Sequence, residues 1–332
     1  MQQRRLGPNG PSVSAVGIGA MSFSNFFGPV SEEQAFATLD AAPDLGIDHL
    51  DTSNVYGMGV SERTIGRWIA RTGRRDAFRI ATKASIRRDP DTGKRSFDNS
   101  PEHLEAELDG SLSRLGVEQV DLFYIHRRDP RFAIEEVTES LVALKAKGKI
   151  ASFGFSEIAP TSLRRAAAVH PVAAVQSEYS LSTRLPELGM VQACESLGTA
   201  LVAFSPVGRG LLTDIPPDAA RVEKSAFHSA NPRFSVENLA RNLRATGPLR
   251  QMAADLGTSA AALAIAWVLD RSPSVIAIPG TKDVGHLREL AHGAELEMTD
   301  EMRERIAREL PPGWCHGARY SDDQQIGPES YC

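Results

Sequence analysis

Val120-Asp121-Leu122-Phe123-Tyr124-Ile125-His126 is apolar over nearly its whole length. That pattern suits a parallel strand buried on both faces better than a half-exposed antiparallel one. Seven other short apolar runs match it: Val13–Gly19, Ile47–Thr52, Phe78–Lys83, Ile150–Ser156, Ala173–Gln176, Ala200–Ser205 and Val275–Pro279. Between them, apolar residues recur at intervals of three and four, as in amphipathic helices. Leu104, Leu108, Leu112 and Leu115 share one face, and Ile134, Val137, Leu141 and Leu144 share another. Ser100-Pro101 supplies a start signal, and Gly116 and Gly148 follow the third and fourth helical segments. Eight strand-then-helix units predict an α/β fold, a (β/α)8 TIM barrel, forming one domain over residues 1–332. A doubly wound open sheet would need Gly17-Ile18-Gly19-Ala20-Met21-Ser22 as its dinucleotide fingerprint, but that run lacks the third glycine and no helix follows at once.

Composition narrows the function classes. The 332 residues are 42% hydrophobic and 24% charged, with a formal net charge of −5, so no field for gripping nucleic acid or anionic lipid is expected. The three cysteines, Cys194, Cys315 and Cys332, form no framework, which predicts a reducing, cytoplasmic setting without disulfides or structural zinc. No export signal is read at Met1–Leu6, and the longest apolar stretch, Ala260 to Leu269, is about half of the ~20 residues that span a bilayer. Two stretches are long for barrel connections: Gly208 to about Phe234, expected to be a lid that orders over a bound ligand, and a tail from Pro311.

In a parallel barrel, reactive groups collect at the C-terminal ends of strands. Asp51 closes the second strand, Tyr56 follows it, Lys83 closes the third and His126 the fourth. Taken singly, these are a turn cap, a packed phenol, a solvated amine and a core histidine. Together they make an acid-catalysis design. In that design Tyr56 would give a proton, Lys83 would stabilise the phenolate, Asp51 would hold Lys83, and His126 would orient a carbonyl oxygen. A metal-dependent hydrolase is disfavoured, because only His126 ends a strand and no His-x-His pair occurs.

Leu50-Asp51-Thr52-Ser53-Asn54-Val55-Tyr56-Gly57, Ala81-Thr82-Lys83 and Asp121-Leu122-Phe123-Tyr124-Ile125-His126-Arg127 resemble the aldo-keto reductase superfamily. Gly154-Phe155-Ser156-Glu157, Gln176-Ser177-Glu178-Tyr179-Ser180-Leu181, Ala203-Phe204-Ser205-Pro206-Val207-Gly208-Arg209-Gly210 and Ile278-Pro279-Gly280-Thr281-Lys282 follow in the family's order. Asn231-Pro232-Arg233-Phe234 and Gly317-Ala318-Arg319-Tyr320 resemble the bacterial, fungal and plant branch with pyridoxal-reductase-like and perakine-reductase-like enzymes. The resemblance implies an NADPH-dependent reductase of aldehyde or ketone carbonyls, with Asp51, Tyr56, Lys83 and His126 as catalytic tetrad and a small-molecule carbonyl substrate as partner. It also implies an alternative, an NADP(H)-sensing interaction subunit like the potassium-channel β subunits.

For NADP, the resemblance places Met21 and Asp51 among the contacts, Ser156 and Gln176 on the nicotinamide carboxamide, and Phe204 against the nicotinamide ring, where relatives often have Tyr. Ser205, Pro206, Val207, Gly208, Arg209 and Gly210 fall at the pyrophosphate. Thr281 and Lys282 fall at the adenosine 2′-phosphate, with His286 and Glu289 at the adenosine. Glu157 replaces a common Asn and, as a carboxylate that only accepts hydrogen bonds, is left out of the carboxamide site. Leu290 replaces the usual Asn near adenine. No metal is implied.

Overall fold

The computed structural model describes residues 1–89 and 91–331, so Cys332 lies outside the described residues. Eight parallel strands run in sequence order: β1 (Ile18–Gly19), β2 (His49–Asp51), β3 (Arg79–Ala84), β4 (Val120–Ile125), β5 (Ile150–Ser156), β6 (Ala174–Glu178), β7 (Ala200–Phe204) and β8 (Val275–Ile278). A parallel bridge between Val16 and Ala277 closes β8 onto the chain entering β1. Gly17 N–H donates to Ala277 O at 2.8 Å and Gly19 N–H to Pro279 O at 2.8 Å, continuing the seam. The result is a TIM barrel.

The helices that cover it are α1 (Glu32–Asp44), α2 (Val60–Thr72), α3 (Pro101–Leu115), α4 (Ile134–Ala146), α5 (Pro160–Val169), α6 (Met190–Leu197), α7 (Val236–Ala245), α8 (Gly247–Asp255), α9 (Ala260–Asp270), α10 (Val284–Gly293) and α11 (Asp300–Glu309). β4 shows why its sequence is apolar throughout. Phe123 and Ile125 lie in the layer between strands and helices, and Leu122 and Tyr124 lie in the barrel interior. Every such side chain leaves water, at roughly 1.5–3 kcal/mol for a large apolar group. α9, the most apolar segment, is buried from Ala260 to Leu269, and no single helix among the described residues is long and apolar enough to cross a membrane.

Two local readings need correction. The first strand does not run from Val13 to Gly19. Ser12–Ser14 instead pairs antiparallel with Gln3–Arg5 around Gly7-Pro8-Asn9-Gly10, and Leu6 and Val13 pack against the barrel interior. Alternation over Val13–Gly19 signals extended chain but not where it changes sheets. Ser100 stands at the N-cap of α3, yet makes no capping hydrogen bond; its hydroxyl donates to Asp98 Oδ1 at 2.7 Å.

The segment after β7 is not structureless. It forms helical turns at Gly208–Gly210, Ala219–Glu223, Ala226–Ser229 and Pro232–Phe234, and Leu211, Val222, Phe234 and Leu239 form their own apolar cluster. Phe227 reaches the loop after β1, its ring 4.7 Å from that of Phe26 and 5.6 Å from that of Phe27.

Candidate active site

The mouth of the barrel brings Asp51, Tyr56, Lys83 and His126 together. Lys83 is fixed through its strand: neighbouring Thr82 donates its hydroxyl to Glu62 Oε1 at 2.6 Å, and Glu62 pairs with Arg114 at 2.6 Å, tying β3 to α2 and α3. With Thr82 held in the outer layer, period-two alternation aims Lys83 inward. There Lys83 Nζ forms an ion pair with Asp51 and donates to Thr52 O at 2.9 Å. Both side chains are essentially buried. Burial alone would lower the Lys83 pKa, but Asp51, followed by Tyr56, outweighs it and leaves it above the usual lysine value.

Tyr56 sits on a turn that neighbouring backbone pins in place. Its N–H donates to Ser53 O at 3.2 Å and its carbonyl accepts from Ser61 N–H at 3.2 Å. Gly57 has φ +60°, and a Cβ there would lie 2.9 Å from Val60 Cβ and 3.0 Å from Ser24 Cβ; the turn therefore requires glycine. The Tyr56 hydroxyl is 3.5 Å from Lys83 Nζ, and its ring meets the His126 ring edge-on at 6.0 Å. Burial raises the Tyr56 pKa, Lys83 opposes the rise, and the net direction is upward.

His126 is held well below the ordinary histidine value, first by burial, then by Arg127, Lys83 and Arg95. Its imidazole is neutral near pH 7. Nδ1 shares a hydrogen bond with Ser53 Oγ at 3.2 Å, a partner that sequence reasoning quoted but gave no role.

The expected nicotinamide-side groups are engaged with the protein itself. Gln176 Nε2 donates to Asp51 Oδ2 at 2.8 Å, and Ser156 Oγ accepts from Arg127 Nη1 at 3.0 Å. Glu157 accepts from Glu178 N–H at 2.8 Å and pairs with Arg319, so its carboxylate anchors the C-terminal tail. Phe204 ends β7, partly buried against the interior cluster.

Beyond β7, Ser205, Gly208, Arg209 and Gly210 all have positive φ. Turns of this kind can gather N–H groups around an anion; here the Gly208 and Gly210 N–H groups donate to Ser205 O and Val207 O at 2.9 and 3.1 Å, which leaves the other N–H groups of the stretch to face a diphosphate. The Arg209 guanidinium lies elsewhere, paired with Glu178 at 2.7 Å and donating to Arg319 O. Arg233 pairs with the same carboxylate at 3.2 Å. Burial raises the Glu178 pKa, but Arg209, Arg233 and Arg319 outweigh it and hold it below the usual carboxylate value. Glu178 was missed as a fixed point, although it ends β6 as Asp51 ends β2, and a charge at the end of an apolar strand was the signal.

At β8, Thr281 Oγ1 donates to Asp283 O at 3.2 Å and accepts from Asp283 N–H at 3.1 Å, and Lys282 Nζ donates to Pro29 O. Asp283 caps α10, accepting from His286 N–H at 2.9 Å. His286 and Glu289 lie on the exposed face of α10, whereas Leu290 is buried in the core. Met21 lies partly buried in the turn Ala20–Ser24 after β1.

A closed parallel barrel with a lysine–carboxylate pair, a phenol and a neutral imidazole at one mouth defines a class of barrel proteins equipped for proton transfer. The family model for the Aldo/keto reductase family matches residues 15–309, and the chain belongs to that family. It is 36% identical over 320 residues to "Aldo-keto reductase yakc [NADP(+)]" of Schizosaccharomyces pombe, covering 96% of this chain and 94% of that protein. It is 34% identical to "Probable aldo-keto reductase 1" of Glycine max over 323 residues, covering 96% of this chain and 92% of that one. Among solved structures it is similar to a glycerol dehydrogenase from Gluconobacter oxydans, with a TM-score of 0.82, 29% identity, and coverage of 93% and 96%.

Proposed function

We propose that this chain is an NADPH-dependent reductase of aldehyde or ketone carbonyls with Tyr56 as general acid. The observation that carries the reading is the Tyr56 hydroxyl within 3.5 Å of Lys83 Nζ, itself paired with buried Asp51. When bound, the reduced nicotinamide supplies hydride to the carbonyl carbon. The protein supplies the proton. Tyr56 donates from its hydroxyl to the carbonyl oxygen, and the Lys83 ammonium stabilises the phenolate that remains. If Ser53 donates to Nδ1, the His126 Nε2–H is free to donate to the same oxygen and orient it. Gln176 holds the second oxygen of Asp51, so the carboxylate that positions Lys83 is fixed from two sides.

Turnover of 4-nitrobenzaldehyde with NADPH tests the reading, and its absence would favour the sensing subunit. Cofactor choice tests it further. Lys282 stands at the end of β8 beside Gly28 and Pro29, at the position expected to meet the 2′-phosphate. A charge-assisted hydrogen bond contributes about 1.5–3 kcal/mol, so Lys282→Ala should raise the Kd for NADPH by roughly tenfold or more. The Kd for NADH should scarcely move. The Asp283 carboxylate nearby limits the preference, and the gap should narrow in high salt. Fluorescence titration with both cofactors checks this, and equal losses would show that Lys282 does not read the phosphate.

The segment 210–234 is expected to act as a flap that orders over the bound cofactor. Arg209 and Arg233 tether its two ends to Glu178, and Ile215 between them is largely exposed. Cleavage between Thr213 and Ser229 in limited proteolysis should slow when NADP is added. Equal rates with and without NADP would mean a static excursion.

A further inference from the structure

Arg127 stands out among the buried charges. It is 7% exposed. Its Nη1 donates to His126 O and to Ser156 Oγ, both neutral acceptors. Nε is buried without a partner, and among the described residues no carboxylate lies within ion-pair distance of this guanidinium. The neighbouring acids are already committed. Glu157 is taken by Arg319 and the Glu178 N–H. Glu329 is taken by Arg128 at 3.3 Å and the Ala159 N–H at 2.8 Å. Removing an ion from water without a counter-charge costs several kcal/mol, and a neutral amide could make the two hydrogen bonds that Arg127 makes.

The surroundings add positive charge. Among the described residues Arg95 donates only to the carbonyls of Gln324 and Ile326, and it interacts repulsively with Arg127; Asp323 of the tail opposes this through space without forming an ion pair with Arg95. Further round the mouth, Arg209, Arg233 and Arg319 share two carboxylates, Glu157 and Glu178. A chain of net charge −5 nonetheless sets Arg127, Lys83 and Arg95 around His126. The phosphates of a dinucleotide do not account for Arg127. The stretches expected to hold them follow β7 and β8, whereas Arg127 sits at the ends of β4 and β5, across the barrel.

We infer that the carbonyl substrate carries a carboxylate, which Arg127 receives at the β4–β5 side of the mouth. The inference rests on the reductase reading above and adds the substrate's chemical class. A carboxylate there supplies the counter-charge that the protein withholds, and it places the carbonyl next to Tyr56 and His126. Gly327 packs against the Arg127 stem and Phe97, since a Cβ there would lie 2.6 Å from the Phe97 ring and 3.3 Å from Arg127 Cδ.

The test compares 3- and 4-carboxybenzaldehyde with their methyl esters, at saturating NADPH. The better acid should exceed its ester in kcat/KM by about tenfold or more, as a charge-assisted contact allows, with the difference carried by KM. Raising the salt should shrink the advantage. The acid-to-ester ratio should collapse in Arg127→Gln and return in part in Arg127→Lys, which keeps the charge but loses the fork. Esters reduced as well as the acids, or a ratio unmoved in Arg127→Gln, would overturn the inference. If that variant does not fold, the wild-type ratio and its salt dependence decide. If neither acid nor ester is reduced, the reductase reading fails instead. The anion seat is then judged by calorimetry of 4-methylbenzoate against 4-methylbenzamide on the NADPH-loaded protein, and equal affinities would overturn it.

Discussion

Tyr56→Phe should lower turnover by roughly 10²–10⁴, the contribution typical of general acid catalysis, while leaving NADPH binding nearly intact. The substitution removes one oxygen whose closest protein partner is Lys83 Nζ at 3.5 Å, and it keeps the ring that packs edge-on against His126. Stability should therefore change little. Burial raises the phenol's pKa and Lys83 only partly opposes it, so the donor is protonated across the neutral range. In the wild type, loss of rate through ionisation of Tyr56 is accordingly expected only above its ordinary value of ~10. Single-turnover kinetics at saturating NADPH, beside a cofactor titration, measures both quantities. Unchanged turnover would refute Tyr56 as proton donor.

Lys83→Met should be more damaging than Asp51→Asn, in both activity and stability. Losing the ammonium leaves the Asp51 carboxylate buried, with only Gln176 Nε2 at 2.8 Å to satisfy it. Breaking a buried pair in this way costs about 3–5 kcal/mol. Asp51→Asn also removes a counter-charge, from the Lys83 ammonium, but leaves that group bonded to Thr52 O with an amide oxygen still beside it, so its penalty should be the smaller of the two. The double variant should be non-additive and more stable than Lys83→Met alone, because it removes the orphaned charge. Denaturant midpoints and kcat for the four proteins close the cycle. Additive losses would mean that the two residues act independently.

The four mouth residues were legible because each belongs to a strand end or the turn after it, and strand ends can be located from apolar runs alone. Ser53, one residue from that pattern, was not, since its bond to His126 links positions 73 apart. Arg209 illustrates the same limit differently. Its place in a glycine-bounded turn is visible along the chain, but its guanidinium chooses Glu178 over a ligand-facing course, and that choice depends on where β6 ends in space.

Local periodicity by itself pointed to the barrel class and to the strand ends where Asp51, Lys83 and His126 stand, whereas the bond from Thr82 to Glu62 that turns Lys83 inward belongs to the tertiary structure. The class and the strand ends follow from burying each strand on two faces, a condition written into every few residues. Only the tertiary structure decided how the buried charges are partnered: the Gln176 amide on Asp51, three arginines on Glu178, and Arg319 on Glu157 across 162 residues. It also decided that no carboxylate among the described residues pairs with Arg127. A charged side chain carries no period that names its partner, and several acids of equal chemistry compete for each arginine. Which pair forms is settled by the distances that the closed barrel leaves between its loops, and by the cost of leaving either charge alone out of water.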